Sequence, residues 1–138
     1  MIDRPLRPRW MAAVAIWCFL TVLVTMSSDL FVADARAVEV WFGFEVTGRA
    51  AILTAPIHWT IFAVFAWAFW TGRAWIIPWA ATYVFYVALC HLVWSEASPH
   101  GRGWPIGLAQ AVAIAAVGVV LLRARPASPA DSGRRAVG

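Results

Sequence analysis

Four stretches without a single charged residue, Trp10–Ser28, Ala50–Gly72, Ala74–Ser95 and Gly103–Leu122, account for most of this chain. A helix needs roughly 20 mostly apolar residues to cross the hydrocarbon core of a bilayer, and each stretch is about that long. They predict an all-α fold, a four-transmembrane-helix bundle with a short amphipathic outer segment between helices 1 and 2. In such a chain lipid replaces water as solvent, so every polar side chain inside a span is costly and therefore informative.

Composition agrees. Of 138 residues, 62% are hydrophobic and 13% charged, against about 25% charged in a soluble domain. Little length is left for a second domain, so residues 1–125 read as one polytopic membrane domain. The tail, 126–138, is Pro-, Ala-, Ser-, Gly- and Arg-rich and reads as a disordered cytoplasmic extension. The net charge of +4 comes from arginine alone, because the chain has no lysine. Lysine-free, alanine- and arginine-rich usage is associated with GC-rich bacterial genomes. The arginines lie at span ends, which marks them as topology signals and not as a nucleic-acid surface.

Arg4, Arg7, Arg9, Arg73, Arg123, Arg125, Arg134 and Arg135 fall on one side of the predicted spans, and Arg36, Arg49 and Arg102 on the other. The positive-inside rule then places both termini in the cytoplasm of a bacterial inner membrane. The first span is longer than a signal-peptide core and no A-x-A site follows it, so it reads as a retained helix. Cys18 and Cys90 lie inside spans, where they suit small buried hydrophobes better than a disulfide or a redox pair.

The connection from Asp29 to Arg49 has two readings. Val38, Val40, Phe42, Phe44 and Val46 alternate as a strand would, whereas Val38, Trp41, Phe42 and Glu45 fit one helical face. An isolated strand in lipid leaves its backbone groups unpaired, so a short amphipathic segment at the outer interface is expected. Thr71-Gly72-Arg73 makes spans two and three an antiparallel hairpin. Ala111, Ala115 and Gly118 give span four a small-residue side that lets another helix approach closely, within the bundle or on a partner. Of ten tryptophans, Trp17, Trp59, Trp67 and Trp79 sit deep in the spans, where they pack or stack on a flat apolar ligand.

The intramembrane polar residues are not scattered. Thr21, Thr25 and Asp29 share a face of span one, Thr54 and His58 are i, i+4 on span two, and His91 and Ser95 are i, i+4 on span three. His58 lies roughly 13 Å inside Arg49, and Gln110 roughly 12 Å inside Arg102, at the helical rise. All gather in the periplasmic half, which predicts a polar cavity there with Glu39, Glu45 and Glu96 near its rim. The histidines have three readings: hydrogen-bonded helix links, proton-transfer or ligand-binding groups, or metal or haem ligands. No HxxxH, ExxH or CxxC spacing supports the last. His58, His91, Asp29 and Glu45 are thus the candidate catalytic residues. Thr25, Thr54, Trp59, Trp94, Ser95 and Gln110 are the candidate ligand contacts, with no metal site among them, and the residues name no cofactor.

No P-loop, GxSxG, HExxH or dinucleotide fingerprint is present. The expectation is a small integral membrane protein that binds a small or apolar ligand, or an accessory subunit beside a membrane-protein partner or a second copy. The alternative is a membrane-embedded enzyme doing acid–base chemistry, isomerase or cyclase in type, on a lipid-like substrate. Membrane lipids are the surroundings in either case, and nucleic acid is not a partner.

Overall fold

The computed structural model describes residues 8–31 and 37–124; the expected disordered tail lies outside them. Four long helices form: α1 (Arg9–Phe31), α2 (Arg49–Trp70), α3 (Ile76–Ala97) and α4 (Trp104–Arg123). All four are long and apolar enough to cross a membrane, with mean hydropathy between 1.6 and 2.2 over their central windows. The chain is built as a multi-pass membrane protein. Intrahelical bonding satisfies each backbone in lipid, and the threonines follow suit by bonding carbonyls of their own helices, as Thr21 does to Trp17 and Thr60 to Pro56.

The helices pack as two pairs, α1 with α2 and α3 with α4, and the pairs scarcely touch each other. Without a hydrophobic driving force between helices in lipid, close packing of small residues does the work. Gly107 lies directly against Ser95 of α3, and Gly118 against the Phe85 ring, so the small-residue side of α4 is used inside the bundle. Ser95, 2% exposed, donates its hydroxyl to the Gly103 carbonyl and fastens the α3–α4 turn.

At the Arg73 end the pairs meet. Met11, Ala15, Ala68, Phe69, Ile76 and Ala80 form a buried cluster joining α1, α2 and α3. Gly72, at φ 69°, reverses the chain there, and the Arg73 N–H returns to the Ala68 carbonyl, a glycine-closed helix end. The Arg73 guanidinium lies 5.9 Å from the Trp67 ring centre.

At the opposite end the connection between α1 and α2 departs from the expected interfacial segment. It is an antiparallel β-hairpin, β1 (Val38–Trp41) and β2 (Phe44–Thr47). The objection to a strand was its unpaired backbone, and pairing with a second strand answers it. Residues Phe42 and Gly43 form the two-residue turn, both at positive φ (53° and 86°), as such hairpins require. The hairpin does not lie flat on the bundle. It wedges between α2 and α3 and contacts both. At its tip the Phe42 N–H donates to the Tyr86 hydroxyl at 3.2 Å. Tyr86 is eleven residues from Ala97, the end of α3, or roughly 16 Å along the helix. The tip therefore reaches about the middle of the span.

Candidate functional site

The hairpin is amphipathic in an unusual sense: its acids point inward. Phe42 and Phe44 are 70% and 61% exposed, whereas Glu39 and Glu45 are half-buried against the helices. Strand alternation puts Glu39 and Trp41 on one face, and that face meets α2. His58 Nδ1 donates to Glu39 Oε2 at 2.7 Å, with side-chain exposures of only 20% and 15%. The Trp41 ring lies parallel on the imidazole, centres 4.2 Å apart and planes within 2°. Among the described residues, the Trp41 indole nitrogen is the buried side-chain N or O atom left without a hydrogen-bond partner.

Next along α2, the Trp59 indole N–H donates to Asp29 Oδ2 at 2.8 Å. Neighbouring residues of α2 thus each hold a carboxylate, one from α1 and one from β1. Asp29 and Glu39 flank a crevice of about 10 Å³, room for roughly one water.

The other face of the hairpin meets α3. Glu45 Oε1 accepts from the Trp94 indole at 2.8 Å and from the Ser98 hydroxyl at 2.5 Å, with His100 Nδ1 at 3.3 Å. Those bonds, Ser98 first, hold its carboxyl below the ordinary value of 4.5 against the opposing pull of desolvation. A carboxyl depressed in the folded state contributes stability that is complete above its unfolded value and is lost as pH falls through the folded one. Glu45→Gln is therefore expected to lower the melting temperature in detergent at neutral pH, with the gap to the parent chain closing below about pH 4. A gap that widens on acidification contradicts this assignment.

The hairpin explains what becomes of the two histidines. His58 belongs to the α2 face, while His91 rests against Trp94 at 5.9 Å. No hydrogen bond joins them, because β1 and β2 occupy the space between α2 and α3. Of the other candidates, Thr25 and Thr54 bond the carbonyls of Thr21 and Ala50 in their own helices. Ser95 holds the α3–α4 turn, and Gln110 is half-buried on α4. Among the described residues no group of three His, Cys, Asp or Glu side chains is placed to hold a metal ion.

Below the hairpin tip, between the two helix pairs, lies a cavity of about 340 Å³. Trp17 and Cys18 of α1, Phe62, Phe65 and Phe69 of α2, Tyr83 and Val87 of α3, and Val117 and Leu121 of α4 line it. Its aromatic wall is continuous: Phe62 and Phe65 stand edge-on to Tyr83 at 5.7 and 5.5 Å, and Tyr83 neighbours Tyr86 at 5.9 Å. His58, Phe62, Phe65 and Phe69 follow i, i+4, i+7, i+11 spacing on one helix face. His58, stacked on Trp41, stands one turn from Phe62 on the hairpin side, and neither residue is among those that line the cavity.

Glu39, Trp41 and the cavity phenylalanines were not singled out as site residues in the sequence. The signals were present as the Glu39-x-Trp41 alternation and the phenylalanine spacing that continues the His58 face. Compared with known protein families, curated proteins and solved structures, the chain finds no match.

Proposed function

We propose that this protein of a bacterial cytoplasmic membrane, with both termini cytoplasmic, takes an apolar ligand from the bilayer into the cavity between its helix pairs. One observation carries the reading: the space is lined by side chains of all four helices and is almost wholly apolar and aromatic. Its volume falls at the lower end of ligand sites, about 300–1,000 Å³. The scarce contact between α1 and α4 supports lateral entry from lipid on that side. Arg9, Arg73 and Arg123 at the end away from the hairpin, against Arg49 and Arg102 at the hairpin end, support the orientation, so that the hairpin closes the cavity from the periplasmic side.

The His58–Glu39 pair favours a second reading, acid–base chemistry on the same ligand. A histidine oriented by a carboxylate on one nitrogen can exchange a proton through the other.

Retention of a C15 isoprenoid hydrocarbon, followed by native mass spectrometry on protein released from detergent, tests the cavity. The parent chain is expected to keep one molecule. Val87→Trp, which fills the space, is expected to keep at least tenfold less, by loss of most of the contact that holds it. Val112→Trp, at a site 61% exposed on α4, serves as the control and should bind as the parent does. Equal retention by Val87→Trp and the parent overturns the proposal.

A further inference from the structure

The end of the bundle away from the hairpin gathers positive charge. Arg9, Arg73 and Arg123 lie there, whereas the described carboxylates, Asp29, Glu39, Glu45 and Glu96, all lie at the hairpin end. Arg73 is exposed in the turn between α2 and α3, with its guanidinium carbon 5.9 Å from the Trp67 ring centre. Such a contact steadies the cation without neutralising it. Trp67 also lines an almost wholly apolar groove of about 430 Å³ between α1 and α2. Ala15, Ala63 and Ala66 give the groove its depth, and Phe19, Trp67 and Trp70 border it. Those three rings are each more than half exposed, so the groove opens outward, to lipid. From Trp70 to Ala63 it runs roughly 10 Å along α2, from the arginine end toward the middle of the membrane. It shares no described lining residue with the cavity between the helix pairs.

We infer that this groove holds an acyl chain of one anionic phospholipid, whose phosphate accepts hydrogen bonds from the Arg73 guanidinium. Each half of the lipid answers one half of the site. The chain covers apolar surface that the helices leave concave, and the head group meets the charge beside it. A guanidinium presents its N–H donors in a fork that matches phosphate oxygens. The levels agree as well. Arg73 lies just past the end of α2, and Trp70 is that helix's last residue, positions that belong to the membrane–water interface where phosphates lie. A zwitterionic lipid fits less well, because its ammonium stands among arginines with no described carboxylate at this end. A free anion meets the charge but has nothing to place in the groove.

Native mass spectrometry of the full-length protein, equilibrated in detergent with phosphatidylglycerol or with phosphatidylcholine of the same chains, tests this. The parent is expected to retain one phosphatidylglycerol and to prefer it to phosphatidylcholine about fivefold. Arg73→Gln should bring that preference below about twofold. Arg102→Gln, an exposed charge at the hairpin end, should leave it intact. Ala63→Trp fills the groove from its exposed side and should cut phosphatidylglycerol retention at least about fivefold. Val112→Trp on α4 should retain the lipid as the parent does. A parent without preference overturns the proposal, and this is read with no variant at all, so a variant that fails to fold leaves the test standing. Equal losses in Arg73→Gln and Arg102→Gln overturn it too, since the attraction is then diffuse. So does parental retention in Ala63→Trp, because the chain then lies elsewhere. None of these results bears on the C15 hydrocarbon in the cavity, whose retention is read separately with Val87→Trp.

Discussion

Gly43→Ala is expected to drive the β1–β2 hairpin out from between α2 and α3 and to destabilise the protein by about 3 kcal/mol. Two effects add. A non-glycine residue at φ 86° sits in the left-handed region, which costs roughly 1–2 kcal/mol. The added Cβ also falls on Val93 and meets the Cys90 carbonyl oxygen at 3.0 Å, and overpacking of this kind typically costs about 1–3 kcal/mol. The obstacle on that side is the body of α3, so the lighter element gives way. Gly103→Ala is the control. It too has positive φ, 78°, but its nearest obstacle is Pro105 at 3.8 Å, so it suffers the backbone strain alone. Hydrogen exchange at the amides of residues 38–47 separates the cases. Gly43→Ala should exchange quickly throughout the hairpin and Gly103→Ala as the parent does. Unchanged protection in Gly43→Ala would show that the tip does not depend on its close approach to α3.

The consequence reaches the site directly. Non-helical backbone at membrane depth survives only where protein encloses it or water reaches it. Here the strands bond to each other, the Gly48 N–H closes the base on the Ala37 carbonyl, and Tyr86 takes the Phe42 N–H at the tip. Phe42 itself holds a backbone conformation that asparagine or glycine adopts more readily. A phenylalanine stays there because its ring packs edge-on against Tyr86, centres 5.6 Å apart. The hairpin that carries Glu39 and Trp41 to His58 is therefore held by its tip, and losing the tip removes the carboxylate and the stacked ring together.

The four helices were legible because lipid imposes a simple rule, long uncharged stretches, and their ends fall within a few residues of the uncharged stretches. α1 runs on past Asp29 to Phe31 because the Trp59 N–H compensates the carboxylate from the next helix. The site was legible only in part. Depth along the helix picked out His58, Asp29 and Trp59. It did not say that His58 would find Glu39, 19 residues away, because that pairing depends on the hairpin. The segment's strand and helix patterns overlapped, and Phe-Gly is not one of the usual turn pairs. Nor did depth show that His91 would be separated from His58 by the intervening strands. Helices apolar all round do not announce their inward face. Which helices pair, and hence where a cavity opens between the pairs, follows from side-chain fit such as Gly107 against Ser95, not from hydropathy.

The second large effect concerns the His58–Glu39 pair and is asymmetric. His58→Phe keeps an aromatic ring under Trp41 but leaves the Glu39 carboxylate half-buried without its donor. Breaking a buried pair so that a charge remains costs about 3 kcal/mol or more. Glu39→Leu leaves a neutral imidazole short of one hydrogen bond, an orphaned polar group worth about 1–2 kcal/mol. The double variant has neither an orphaned charge nor an orphaned donor, and apolar replacement of both partners is often close to neutral. Melting in detergent across the four proteins is thus expected to rank His58→Phe lowest, Glu39→Leu next, and the double variant near the parent. Strictly additive losses would mean that the two side chains do not act on each other. If Glu39→Leu proved the more damaging single change, the carboxylate would be stabilising something besides the imidazole.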